Sequence, residues 1–440
     1  MVLEIIPIGG FKEIGRNCVA VRWNDEVVIL DMGLQMDNYI EYTNDEREFV
    51  DISAKKLIQM DAVPDIHKID DLRDKVKGIC ITHAHLDHVG AIPFLSNKFH
   101  ADVHCTEFTA QLINTICHDE QINLKNDIHS HGINSRFKLS KNLKIEFVHV
   151  THSTPQTVMI AVHTPDGTVL YANDFKLDNV PTLGPRTNLK RLEDMDVKCL
   201  IMDSLYADAA IKTPSESIAK EMLKDVLLGT YSEGNAIIIT TFASHIARLK
   251  TIIEIGKTMN RKIVFLGRSL AKYADCAKYA DIIDFEKDVE IVRYGNKVKK
   301  WLKNCKSPEK YMMVVTGHQG EPNSTLGKMV YGMIFRFNFE DQVIFSSKII
   351  PTEINKENRA KLEAKLRSKN VRIFKDIHVS GHAAREDHRE LLRLVKPEHI
   401  IPTHGDLPRL EALKELAMEV GYKPAKIHII GNGHRLKISP

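Results

Sequence analysis

No C-x-x-C pair occurs among the seven cysteines, Cys18, Cys80, Cys105, Cys117, Cys199, Cys276 and Cys305. An odd, scattered set excludes a disulfide framework and a thiolate zinc finger, and reads as buried thiols in a reducing compartment. Apolar runs are short, and none approaches the roughly 18 residues of a membrane span. The opening stretch, residues 1–8, has no basic region and carries Glu4, so no signal peptide is expected and a cytoplasmic location is. Charge of one sign is also missing. Lys plus Arg total 61 against 58 for Asp plus Glu, a net +3, so a nucleic-acid partner requires a local basic groove rather than a global field. Repeats, low-complexity stretches and long linkers are absent as well. What the chain has is bulk: 440 residues, 43% of them hydrophobic, enough for two domains with full cores.

The densest chemistry lies in residues 77–94. A short apolar run, Ile79 to Ile81, delivers His83, His85, Asp87 and His88 into one turn. Imidazole and carboxylate are the ligands zinc and manganese take from proteins. His83 and His85 alternate as on a strand, so both can face one ion, while Asp87 and His88 can serve a second beside it. A single turn cannot complete two coordination spheres, so further His or Asp residues are expected at other strand ends.

A pass along the chain finds them. Strands are expected at 3–8, 17–23 and 26–31, the third ending on Asp31. A helix is expected over 108–122 and a strand over 143–150, followed by His152. Asp166-Gly167 marks a hairpin whose second strand leads to Asp174, and an apolar strand at 198–203 ends on Asp203. Thr213-Pro-Ser-Glu216 reads as a capping box opening a helix with Ile218, Met222, Leu223, Val226 and Leu227 on its apolar face. Strand-like runs at 236–241, 262–266, 311–315 and 343–346 then alternate with helical segments around 244–258, 268–280 and 326–335, which implies a parallel sheet in a Rossmann-like block. Beyond Val371 come His378 to His382, a helix at 384–395, a strand ending in Thr403-His404, a helix at 408–420 and a last strand at 426–430. Ligand-type residues reappear here, so the tail is expected to rejoin the first domain, giving 1–205 and 373–440 as one domain and 206–372 as an insertion.

The H-x-H-x-D-H turn with the later His and Asp residues resembles the metallo-β-lactamase superfamily. That resemblance implies an αββα sandwich with a dinuclear site at its strand ends. One ion would take His83, His85, His152 and Asp174, and the other Asp87, His88, Asp174 and His404, with Asp174 bridging. Asp31 would orient ligands from behind. The insertion and tail narrow the resemblance to the β-CASP nucleases: Asp203-Ser204 is similar to their motif A, with Asp203 in the same supporting role as Asp31. His382 in Val379-Ser-Gly-His382 is similar to motif B, and His404 in Pro402-Thr-His-Gly405 to motif C. Thr316-Gly-His-Gln-Gly-Glu-Pro322, Thr241-Phe-Ala-Ser244, Phe345-Ser-Ser347 and the residues from Gly9 to Asn17 resemble the RNase J family, in its shorter archaeal form. Three local departures stand out: Leu205 after motif A, His318 where the family has Ser, and Ile350-Pro-Thr-Glu353 without the usual Gly-Asn.

The resemblance implies a metal-dependent exoribonuclease acting 5′ to 3′ on single-stranded RNA bearing a 5′-monophosphate, in RNA maturation and decay. Two divalent ions about 3.5–4 Å apart, both expected to be zinc with manganese as the alternative, can hold a bridging hydroxide and clamp a phosphate during in-line attack. Asp87 is the candidate proton acceptor and His382 the candidate proton donor to the leaving oxygen. His378, Val379, Ser380, Gly381 and His382 would hold downstream phosphates, and Ser346 and Ser347 a 5′-terminal phosphate. Gly317 and Gly320 sit in a Gly-rich run whose amides could approach phosphate at a helix start. Five lysines around Trp301, in residues 296–306, fit either a stacking wall for RNA or a solvated helix with one packed Trp. The alternatives are an endoribonuclease of the same group and a hydrolase of small thioesters, lactams or esters. No membrane partner is expected, and a homodimer is the assembly to look for.

Overall fold

The fold is described from a computed structural model covering residues 2–45, 53–332, 334–350 and 352–438. The chain divides into two compact units. The first comprises residues 1–179, 185–213 and 381–440, and the second residues 180–184 and 214–380. The division therefore falls at Thr213/Pro214 and Ser380/Gly381 rather than at 205/206 and 372/373. Residues 206–213 stay with the first unit because Tyr206 bridges Ala384, and the amides of Arg385 and Glu386 donate to the carbonyls of Ala209 and Ile211. No helix among the described residues is long and apolar enough to cross a membrane.

The first unit holds two sheets. One runs in the order Leu436–Ile438, Leu3–Gly9, Cys18–Trp23, Glu26–Leu30, Val76–Cys80, Val103–Cys105, Ile128–Ser130. The other runs His399–Thr403, Val197–Asp203, Gly167–Ala172, Val158–Thr164, Lys144–His149, Arg136–Lys138. Period-two alternation decides how they pack. Val158, Ile160 and Val162 point with Val169, Tyr171, Cys199 and Ile201 into a core shared with Leu3, Val19, Val21 and Val28 of the first sheet. The intervening Met159, Ala161, Leu170, Ala172, Leu200 and Met202 face the helices Arg385–Val395 and Leu407–Val420. With both faces covered, these strands read as continuous apolar runs. The expected strand at 426–430 does not form. Ile427 makes only an isolated bridge to Ile400, and the last strand is Leu436–Ile438, antiparallel to Leu3–Ile5.

The second unit is a six-stranded, all-parallel sheet in the order Val289–Val292, Lys262–Leu266, Tyr311–Val315, Ile237–Thr240, Gln342–Phe345, Arg372–Phe374. The helix after Thr213 begins at Glu216, and its cap is Ser215, whose hydroxyl accepts from the Ser217 amide. The expected capping box fails because its acid is engaged elsewhere: Glu216 receives Nε of Arg248 at 2.6 Å and Nη2 at 2.9 Å. Ile218 is exposed, and Ala219 takes its place on the buried face with Leu223 and Leu227.

Arg248 is fully buried, and its Nη1 also donates to Ser346 Oγ at 2.7 Å and to the Ile377 carbonyl. Arg248→Ala strands a buried carboxylate and is expected to destabilise the protein by about 3–5 kcal/mol, read as a lowered urea midpoint. Burial alone would raise Glu216, but His245 and Arg248 outweigh it and hold the carboxyl below its usual range. The stability this pair supplies is therefore fully present at neutral pH and is lost as pH falls below the ordinary carboxylate range toward the depressed value.

Candidate metal centre

Seven side chains from four segments of the first unit converge at the ends of its two sheets. The ligand atoms of His83, His85, His152 and Asp174 lie within 4.8 Å of one another, as do those of Asp87, His88, Asp174 and His404. A third group, Asp174, Asp203, His382 and His404, meets the same limit. Asp174 is common to all three. Asp31, Asp174 and His404 each sit at the end of a strand with left-handed φ of 58°, 49° and 53°. Such backbone costs about 1–3 kcal/mol per residue outside Gly, and it aims these side chains out of the sheet plane toward the cluster.

The donor geometry fits an ion. His83 Nε2 and His152 Nε2 each lie 3.1 Å from His85 Nδ1. Three imidazole nitrogens this close cannot all be satisfied by hydrogen bonds to one another. A tetrahedral ion about 2.0–2.1 Å from each nitrogen would set them about 3.3 Å apart. Asp174 Oδ1 is buried without a hydrogen-bond partner, 3.3 Å from His88 Nε2 and 3.8 Å from His404 Nε2.

The far nitrogens are all held, which fixes each ring. His83 Nδ1 lies 2.9 Å from Thr82 Oγ1, His88 Nδ1 2.7 Å from Asp31 Oδ2, and His152 Nδ1 2.7 Å from the Gly381 carbonyl. His404 Nδ1 lies 3.0 Å from Asn17 Oδ1. Partners of this kind orient metal-binding imidazoles and set their tautomers. Asp31 accepts from the Thr82 amide and hydroxyl as well, so one carboxylate supports two neighbouring ligands. Asn17 and Thr82 carry this support without having been singled out as site residues. Asn17 does close the Gly9–Asn17 stretch, and its Nδ2 also donates to the Asp87 carbonyl.

Electrostatics point the same way. Burial, reinforced by neighbouring imidazoles, pushes His83 and His152 below the ordinary range and His85 to about 3, so these rings are neutral donors. Burial opposes charge on His88 too, yet Asp174, Asp87 and Asp31 outweigh it and push the ring well up. The second group is thus a negative pocket that favours a cation. His382 is likewise raised to about 9, with Asp174 and Asp203 overcoming burial. Its Nδ1 is 3.1 Å from Asp203 Oδ2, and its Nε2 is 3.7 Å from Asp174 Oδ2.

The remaining candidates belong to the second unit, apart from Gly381, whose carbonyl is committed to His152. Ser346 Oγ donates to the Ile377 carbonyl at 2.9 Å and accepts from Arg248, so it braces the fold. Ser347 Oγ is buried without a hydrogen-bond partner and keeps its capacity for a ligand. His378, lowered to about 2 by burial and by Arg248 and His245, is a neutral ring with an unpartnered Nδ1. Val379 is buried and Ser380 half-buried.

Gly317 and Gly320 answer to loop packing rather than to an open anion cradle. A Cβ on Gly317 would meet Ser324 Oγ at 2.4 Å, and one on Gly320 the Arg359 amide at 2.4 Å. The amides of Gln319, Gly320, Ser324, Leu326 and Gly327 are already paired inside the loop. His318 is buried beside Phe242, with ring centroids 4.0 Å apart. Pro351, in the 350–353 stretch, lies outside the described residues.

Known proteins match this architecture along its whole length. A β-lactamase superfamily domain model matches residues 57–223, the ribonuclease J β-CASP domain model residues 234–361, and a Zn-dependent metallo-hydrolase RNA specificity domain model residues 369–429. Ribonuclease J of Pyrococcus abyssi is 41% identical, covering 99% of this chain and 97% of its own. Ribonuclease J of Methanocaldococcus jannaschii is 37% identical over 99% of both, and Ribonuclease J 1 of Streptococcus pyogenes is 31% identical over 99% of this chain and 74% of its own. A solved structure of a protein of unknown function from Enterococcus faecalis shares the fold at a TM-score of 0.66 and 16% identity, covering 99% of this chain and 100% of that one.

Proposed function

The chain belongs to the ribonuclease J family of β-CASP metallo-β-lactamase proteins, and we propose that it is a metal-dependent ribonuclease that hydrolyses single-stranded RNA from the 5′ end at a two-ion centre. The observation that carries this reading is Asp174, a buried carboxylate shared by two four-residue ligand groups, with one oxygen left unpartnered. Divalent ions bound there would lower the pKa of water toward about 7 and neutralise charge building on the phosphate. The nitrogen-rich first group suits zinc, and the carboxylate-richer second also accepts manganese.

The chain's own residues divide the remaining work. His83, His85 and His152 would hold one divalent ion and Asp87, His88 and His404 a second, and Asp174 belongs to both ligand groups. The Asp87 side chain is 27% exposed where its neighbours are nearly closed to solvent, and against the pull of burial His88 and His404 keep it an ionised carboxylate, which can orient the attacking water as a hydrogen-bond acceptor and receive its proton. His382, kept protonated by Asp174 and Asp203, donates a proton to the departing ribose oxygen. In the second unit, Ser347 and His378 supply a hydroxyl and a neutral imidazole for the 5′ phosphate, while Ser346 serves the fold. Ser347→Ala is accordingly expected to reduce the preference for 5′-monophosphate over 5′-hydroxyl RNA by about 10-fold, the worth of one hydrogen bond to a charged group. The ratio of kcat/KM on the two RNAs measures it, and an unchanged ratio removes Ser347 from that role. The proposal extends to RNA maturation and decay in the cytoplasm and to a homodimer, which light scattering would detect.

An RNA with a 5′-monophosphate, labelled separately at each end, tests the direction of attack. Mononucleotide released at once from the 5′ label, gradual shortening seen from the 3′ label, and inhibition by a chelator support the exonuclease. Discrete internal fragments instead favour the endonuclease. Failure to cleave any RNA with metal supplied would turn attention to small ester and thioester substrates.

A further inference from the structure

The helix Gly295–Asn304 and the starts of the strands Lys262–Leu266 and Tyr311–Val315 border a concavity of about 890 Å3 on the second unit. Lys262, Lys297, Lys300, Lys306 and Lys310 line it, and Glu290 is the acid among the lining residues. Arg293 also lines it but is paired with Asp275 and Glu286. Among the described residues none of the five lysines is in an ion pair. The bordering helix has no acid of its own, so nothing on it neutralises them.

Lys297, Lys300, Trp301 and Asn304 fall at i, i+3, i+4 and i+7, which places them on one helix face. Like charges at that spacing cost helix stability, and an ordinary solvated helix would intersperse acids. Here the positive charge is gathered instead, in a chain whose net charge is only +3. The aromatic groups divide into two kinds. Trp301 is half-buried, packs edge-on to Tyr311 with centroids 5.0 Å apart, and donates from Nε1 to Glu290 Oε1 at 2.9 Å. It builds the wall and occupies the one acid. Tyr294 is 56% exposed, with Lys297 Nζ 5.6 Å from its ring centre.

We propose that this concavity is a second binding site for single-stranded RNA, with the lysines tracking phosphates and Tyr294 stacking a base. The inference rests on the ribonuclease reading above, and it adds a place where RNA beyond the reacting end is held. Lys262 and Tyr311 are the first residues of their parallel strands, whereas Ser347 lies beyond the last residue of the parallel strand Gln342–Phe345. Five-residue strands separate the two ends of the sheet by roughly 17 Å, so this surface is distinct from the one proposed for the 5′ phosphate. Unpaired cations beside an exposed ring are the chemistry of sequence-tolerant single-strand binding. An acidic protein would use the cations and leave the ring without a role.

The test is fluorescence anisotropy of the full chain in a chelator with a labelled RNA of about 20 nucleotides and one of about 4, each over a range of salt. The triple variant Lys297→Ala/Lys300→Ala/Lys310→Ala is expected to weaken binding of the long RNA and to flatten its log–log salt slope by about 2. Tyr294→Ala is expected to weaken it about 5- to 100-fold with the slope unchanged. Binding of the short RNA in the chelator, and its turnover once metal is restored, should be unaffected in both variants. Unchanged long-RNA affinity and slope would overturn the site, as would polyglutamate competing as well as unlabelled RNA. Loss of hydrolysis of every RNA by the unaltered protein would instead count against the ribonuclease reading and leave the binding result standing by itself.

Discussion

Asp174→Ala is expected to abolish hydrolysis and to strip both ions, not one. Asp174 contributes to each of the two ligand groups, and its carboxylate is buried among five imidazoles: His83, His88, His152, His382 and His404. Burial would raise its pKa, but His88, His382 and His404 outweigh that and hold the carboxyl well below its usual range. The charge is therefore permanent at any working pH and is what binds the two groups into one centre. Replacing a ligand of a single group, such as His85→Ala, should lower the content of one ion more than the other. Metal analysis of the dialysed proteins distinguishes the two patterns, and near-normal metal in Asp174→Ala would mean that the ligand assignment is wrong.

His382→Ala is expected to keep both ions and to cut turnover by about 10²–10⁴, the usual worth of a positioned proton donor. Its Nε2 lies 3.7 Å from Asp174 Oδ2, its ring packs edge-on to His152 and stacks on His404 with centroids 5.1 and 5.8 Å apart, and its Nδ1 is anchored to Asp203. Because the folded pKa is raised, the proton-donating form prevails below about 9 and is lost as pH rises through that value. Cations beside Asp174 take up part of the charge that raises it, so the alkaline limb of the rate profile falls at or below about 9. That limb should vanish in His382→Ala. Loss of metal in this variant would instead make His382 a ligand.

Where the chain places most of its ligands was legible because they follow strand ends, and Asp87 and His88 lie in the short helix Leu86–Val89 just after one. His83 and His85 follow the strand Val76–Cys80, Asp174 follows Gly167–Ala172, and His404 follows His399–Thr403. A β-strand delivers its next residue to the sheet end whatever the surroundings, so local pattern suffices. The failures share the opposite cause, a partner far away in sequence. Glu216 has the spacing of a capping box, but Arg248, 32 residues on, takes its carboxylate. Ile427 to Ile430 has the composition of a strand, yet the edge next to Leu3–Gly9 goes to Leu436–Ile438. Ser346 and Ser347 are identical in sequence terms, and only the position of Arg248 shows that the first is committed and the second is not. Support for His404 by Asn17, 387 residues away, is of the same kind.

Two ions flanking one carboxylate would be visible by anomalous diffraction from crystals grown with zinc. Two peaks about 3.5–4 Å apart are expected on either side of Asp174, one among His83, His85 and His152 and the other among Asp87, His88 and His404. A single peak, or peaks away from Asp174, would contradict that arrangement.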